Sequence, residues 1–123
     1  MAEVSVQVEK ILDDFSKEVR RATANSMDVV AKEAVSKLKS TSPKKTGDYA
    51  KGWGIKRERG SGGIPIVTVH NRTNYQLTHL LENGHVIRNA KGTYGRTRAI
   101  KHIAPVEQWA NDELPREIER EME

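Results

Sequence analysis

The 123-residue chain reads as an α+β domain. A small antiparallel β-sheet is packed against a long N-terminal helix and a C-terminal helix, and a basic β-arm or loop protrudes from it. Three observations predict this. Apolar residues recur at steps of three and four from Ser5 to Lys39 and again after Pro105. Between these stretches, two β-prone runs flank Gly60-Ser61-Gly62-Gly63. Finally, no acidic residue occurs between Glu82 and Glu107, while Arg88, Lys91, Arg96, Arg98 and Lys101 accumulate there.

The first helix is expected over about 5–39. Its apolar stripe runs through Val8, Ile11, Leu12, Phe15, Val19, Ala22, Met27, Val30, Ala34 and Leu38, uninterrupted by Gly or Pro. At ~1.5 Å per residue it would be ~50 Å long, more than a domain of this size is wide, so part of it should project. The C-terminal half of the stripe is read as core packing and the projecting half as a surface for a partner. Poor helix formers cluster at Thr23-Ala24-Asn25-Ser26, where a break or bend would fall.

Pro43 ends the helix by pushing Ser42 out of the helical region, and Lys44-Lys45-Thr46-Gly47-Asp48 is turn chemistry. A β-hairpin is expected over about 51–70. Trp53 and Ile55 share one face of its first strand, and Ile64 and Ile66 oppose Val67 and Val69 in the second. Pro65 argues for an edge or a strand start. Asn71-Arg72-Thr73-Asn74 makes a second turn, in which the Asn-Arg-Thr glycosylation pattern is read as a chance match.

A short helix is expected over about 75–83, buried through Leu77, Leu80 and Leu81 and stopped by Gly84. It launches the basic arm, 86–101, in which Val86-Ile87 could pair with Ala99-Ile100 around Gly92-Thr93-Tyr94-Gly95. The last helix covers about 105–122, with Pro105 in its first turn and Val106, Trp109, Ala110, Leu114, Ile118 and Met122 on one face. Pro115 removes a donor inside it, so a kink or restart is expected there.

Composition narrows the function. The length suits a single domain, 1–123, and a mean hydropathy of −0.71 with 36% hydrophobic residues implies a largely polar surface. Cysteine is absent, which excludes disulfides, thiolate metal sites and thiol nucleophiles. Neither a signal-peptide pattern nor a run of ~18 apolar residues is present, so a soluble, non-exported chain without membrane contact is expected. Residues 107–123 hold seven acids against Arg116 and Arg120, a net of −5, which leaves +9 on residues 1–106 for a whole-chain charge of +4. A basic body with an acidic end can attract copies of itself as readily as a polyanion.

Phosphate-loop, metalloprotease and nucleophile-elbow motifs are all missing, so no enzyme activity, cofactor or metal is expected. His79, His85 and His102 could converge on a metal, but their spacing follows no ligand rule, and ordinary hydrogen bonding is the preferred reading for them and His70. The five cations of the arm with Tyr94 could hold phosphates and stack a base, which makes a basic nucleic-acid-binding module the alternative function. Equally, the arm could meet an acidic surface such as that of the last helix.

Three segments carry a resemblance. Ser42-Pro43-Lys44-Lys45-Thr46-Gly47-Asp48-Tyr49, the block from Tyr75 to His85 with Leu80-Leu81-Glu82-Asn83-Gly84-His85, and His102-Ile103-Ala104-Pro105 opening a helix with Trp109 follow one another in order and spacing. Together they resemble the tail-completion, or head-tail joining, family of long-tailed bacteriophages and prophages, with Asn83 where that family usually has an aromatic. The resemblance implies a structural virion protein, assembled in the host cytoplasm, that sits at the neck as a ring, taken as hexameric, and binds no cofactor. Its neighbours would be the head-side connector or stopper proteins and the tail tube or tail terminator protein. DNA would pass nearby without sequence-specific binding. On this reading Arg88, Lys91, Tyr94, Arg96, Arg98 and Lys101 are assembly contacts, expected to be mobile in a free monomer and ordered in the ring. Pro43, Thr46, Gly47, Leu80, Leu81, Glu82, Gly84, His85, His102, Pro105 and Trp109 form the structural motif.

Overall fold

The computed structural model describes residues 2–44 and 47–123, without the side chains of residues 2–9, Leu12, residues 87–89 and Tyr94. Helix α1 (Ala2–Thr41) is followed by the single turn α2 (Asp48–Lys51), strand β1 (Trp53–Glu58), a 3-10 turn (Ser61–Gly63) and strand β2 (Ile66–Asn71). Helix α3 (Leu77–Asn83), strands β3 (Val86–Asn89) and β4 (Gly92–Arg96), and helix α4 (Ile103–Met122) complete the chain. The architecture is α+β: two long helices with a small two-stranded antiparallel sheet, and a separate antiparallel β3–β4 hairpin.

Forty residues long, α1 spans ~60 Å without interruption. No break occurs at 23–26. Thr23 Oγ1 donates to the Val19 carbonyl one turn back at 2.7 Å, so its polar group is satisfied inside the helix. Ala22 and Ser26 are fully buried, which makes this stretch of small residues a packing surface.

The partner of α1 is α4, and the two run antiparallel. Arg21 Nη1 lies 3.6 Å from Glu121 Oε2, and at the other end Lys37 Nζ sits 4.7 Å above the Trp109 ring. Because α4 ends beside Arg21, the part of α1 that precedes it extends past its partner. There Ile11 and Phe15 are 66% and 60% exposed. Helix α4 passes through Pro115 as one element, where a kink or restart is the expectation from sequence.

The sheet lies against the C-terminal half of α1. Its register pairs Trp53 with Asn71, Ile55 with Val69 and Glu58 with Ile66, so Trp53, Ile55, Val67, Val69 and Asn71 fall on one face and Ile66 on the other. The core forms where Ala34 and Leu38 of α1, Tyr49 of α2, Trp53 of β1 and Val106 of α4 meet, with Val35, Val69, Leu81, Ile103 and Trp109 packed around them.

Two expectations change in the second half of the chain. Leu77 and Leu80 are 39% and 41% exposed, and Leu81 is the one leucine of α3 that reaches the core; the buried residue of this helix is Glu82. The pairing of Val86-Ile87 with Ala99-Ile100 is replaced by a tighter hairpin, with Val86 opposite Arg96 and Asn89 opposite Gly92. Residues 97–102 instead return to α3: the Thr97 amide bonds the His85 carbonyl and the Ile100 amide bonds the Leu81 carbonyl, both at 2.7 Å.

Candidate functional site

The polar interior sits where α2, β1, α3 and the start of α4 converge, and it is built around the Glu82 carboxylate. Glu82 Oε1 accepts the backbone N–H groups of His102 and Ile103 at 2.8 and 2.9 Å, and Oε2 accepts that of Ala104 at 2.9 Å. The next residue, Pro105, has no N–H to satisfy. The exposed donors of the first turn of α4 are therefore all accounted for by one side chain from another helix. A negative charge at a helix N-terminus also meets the positive end of the helix dipole.

Burial alone would raise the Glu82 pKa; the backbone N–H groups of Ile103, His102 and Ala104, with a smaller contribution from His102, outweigh it and hold the carboxyl below its ordinary value.

His102 extends this network into the core. Its Nδ1 lies 2.8 Å from the Ile100 carbonyl, which only accepts, so Nδ1 carries a proton. In the neutral ring the Tyr49 hydroxyl then donates to Nε2 at 2.7 Å. Burial, with the Glu82 charge nearby, pushes the Tyr49 phenol up to about 12, so it stays protonated at neutral pH. The Tyr49, Trp53 and His102 rings meet edge to face, with centroids 5.5–6.4 Å apart.

Two further bonds connect this cluster to the sheet and to α1. Trp53 Nε1 donates to Ser42 Oγ at 2.8 Å, and Ser42 Oγ donates to the Leu38 carbonyl at 2.5 Å. Asn71 Nδ2 donates to the Tyr49 carbonyl at 2.7 Å, while its Oδ1 accepts the Asn74 amide at 2.9 Å. Asn71 is buried, so the glycosylation pattern has no accessible amide. Every polar side chain in this cluster is spent on architecture.

Other motif residues have local roles. Gly84 adopts φ +72°, and a Cβ there would lie 2.5 Å from the Thr97 carbonyl oxygen, so only glycine lets the returning chain pass. Gly47, at φ +86°, opens α2, and Pro43 lines a shallow cleft with Tyr49, Leu77 and Leu81. Thr46 lies outside the described residues. His85 is exposed and its Nδ1 is 3.0 Å from Thr97 Oγ1. Pro105 is exposed in the first turn of α4, and Trp109 is half-buried.

Among the arm side chains that the structure describes, two are tied to Asn83. Lys101 Nζ donates to Asn83 Oδ1 at 3.0 Å and Arg96 Nη2 to the Asn83 carbonyl at 3.2 Å, so both brace the base of the hairpin. Lys91 is exposed at the β3–β4 turn and Arg98 on the segment that returns to α3. The side chains of Arg88 and Tyr94 lie outside the described residues. Among the described residues no cluster of His, Asp and Glu could hold a metal, and His102 is buried whereas His79 and His85 are exposed. Among the described residues no helix is long and apolar enough to cross a membrane.

The sequence did contain a signal for the central carboxylate. His102-Ile103-Ala104-Pro105 offers no Ser, Thr, Asp or Asn to cap α4, and the nearest preceding acid is Glu82. Tyr49, Ser42 and Asn71 gave no comparable signal, because their partners are fixed only by the fold.

Residues 3–84 match the family model described as "Bacteriophage HK97-gp10, putative tail-component". The chain belongs to that family. The match covers two thirds of the chain, from α1 through the sheet and α3, and ends at Gly84, just past Glu82. It makes the protein a bacteriophage tail component, in agreement with the resemblance read from the sequence. No curated protein and no solved structure matches the chain.

Proposed function

We propose that this HK97-gp10-like protein is a non-enzymatic virion component of the neck, completing the tail and joining it to the DNA-filled head as an oligomeric ring without a cofactor. The family match over residues 3–84 carries this reading. Two structural features support it: a polar cluster around Glu82 whose hydrogen bonds hold helices together, and a helix α1 that extends well past the end of α4. In the ring, hexameric in the virion, one face would meet the head-side connector or stopper proteins and the other the tail tube or tail terminator. Assembly would take place in the host cytoplasm.

The decisive experiment is genetic. Deleting the gene should leave filled heads and finished tails that fail to join, with joining restored by the gene in trans; normal virions from the deletion would overturn the proposal.

The alternative, a basic nucleic-acid-binding module, rests on the acid-free stretch from residue 83 to 106. Arg96 and Lys101 of that stretch are tied to Asn83, which leaves a dispersed charge in place of a phosphate-binding groove. A neck that gripped DNA through many cations would also oppose its passage. DNA affinity that falls steeply with salt would favour this alternative.

A further inference from the structure

The overhang of α1 and the outer face of α3 are chemically complementary, and one chain cannot bring them together. Residues 2–18 carry five acids against Lys10 and Lys17, and Ile11 and Phe15, one helical turn apart, stand exposed on this segment. At the other end of the molecule, Leu77 and Leu80 of α3 and Ile100, whose amide bonds the Leu81 carbonyl, present an exposed apolar patch, and Leu77 lines a cleft of about 280 Å³. This patch borders the stretch that holds five cations and no acid.

The two surfaces lie at opposite ends of α4. Glu82 caps its first residues, Arg21 meets its last, and its 20 residues span ~30 Å. Beyond Arg21 the overhang leads further from α3. Matching charge and matching apolar groups at opposite ends of one chain define a head-to-tail contact.

We infer that the α1 overhang of one copy docks across the α3 face of the next, placing Ile11 and Phe15 against Leu77, Leu80 and Ile100. The contact rests on the ring reading and specifies its interface. It is heterologous, so it closes a ring when the rotation between copies allows. The acidic end of α4 is the weaker candidate for the same patch. Acids of both segments are partly paired, Asp13 by Lys17, Glu18 and Glu121 by Arg21, and Glu113 and Glu117 by Arg120. Val106 and Trp109 of α4, however, are packed in the core, whereas Ile11 and Phe15 of the overhang stand exposed.

The absence of cysteine makes the test direct. In the full-length chain, Phe15→Cys mixed with Leu80→Cys should form one-to-one disulfide dimers under mild oxidation, in higher yield than either variant alone or than Phe15→Cys with Glu119→Cys. Phe15→Gln and Leu80→Gln should each weaken self-association by roughly tenfold or more in native mass spectra, with the circular dichroism and melting of the wild type.

Equal cross-linking of Phe15→Cys with itself would indicate a two-fold contact and overturn the inference. So would unchanged assembly of the Gln variants. A Leu80→Gln chain that assembles normally with itself but blocks virion completion would assign the patch to another tail or head protein, and would also overturn it. A wild-type chain that is monomeric at every concentration overturns this contact, while the neck assignment then stands or falls on the deletion phenotype.

Discussion

The Glu82 carboxylate accepts the backbone N–H of His102 at 2.8 Å, across twenty residues of sequence, and so makes the end of α3 the cap for the start of α4. Removing it would leave the amides of His102, Ile103 and Ala104 without an acceptor. Bonds to a charged group contribute ~1.5–3 kcal/mol each, and these three share one carboxylate, so Glu82→Ala is expected to cost about 3 kcal/mol. Glu82→Gln keeps an acceptor and loses the charge, for a smaller loss of about 1–2 kcal/mol. The shift in the urea midpoint measures both, and equal midpoints for wild type and Glu82→Ala would refute the capping role.

The same carboxylate sets an acid limit. Its folded-state pKa lies below the ordinary value of 4.5, so its contribution is fully present above pH 4.5 and is lost as pH falls through the lower folded value. The stability gap between wild type and Glu82→Gln should therefore be constant at neutral pH and narrow below about pH 4.5. A gap that stays unchanged down to pH 3 would show that the charge contributes nothing.

Tyr49 gives the corresponding alkaline signature. Its folded-state pKa, about 12, is raised above the ordinary 10.0, so its contribution is complete below pH 10 and is lost as pH rises toward 12. Ultraviolet titration should find one tyrosine ionising near pH 12, and this step should vanish in Tyr49→Phe. That variant leaves His102 Nε2 buried without its partner and is expected to lose about 1–2 kcal/mol. Titration of every tyrosine near pH 10 would contradict the buried hydrogen bond.

These contacts show where local pattern stops being informative. Helix α1 was legible because its apolar residues keep helical spacing from Val8 to Leu38 with no Gly or Pro, and the β1–β2 hairpin because its glycines separate two β-prone runs. The short helix was legible in place but not in orientation. Leu77 and Leu80 have the spacing of a core face, yet α3 turns inward the one side chain that α4 needs, and Glu82 displaces them outward. Spacing records which residues share a face; it does not record which face a distant helix terminus will claim. The strand partner of Val86 was misread for a related reason. Ala99 and Ile100 have suitable β propensity, but the Ile100 amide is taken by the Leu81 carbonyl.

Ser26 offers a test with the opposite sign. It is 0% exposed within the stretch of α1 that packs on α4, and its Oγ has no hydrogen-bond partner among the described residues. A buried hydroxyl without a partner costs ~1–3 kcal/mol relative to leaving it in water. Alanine removes that group, keeps the small volume that lets the helices approach, and has the higher helix propensity. Ser26→Ala is therefore expected to stabilise the chain by about 1 kcal/mol, raising the melting temperature by roughly 4–6 °C. Ser26→Leu should do the reverse, since a larger side chain at a fully buried position forces α1 and α4 apart. If Ser26→Ala lowers the melting temperature, the hydroxyl has a partner, and the α1–α4 seam holds a polar contact that its packing does not reveal.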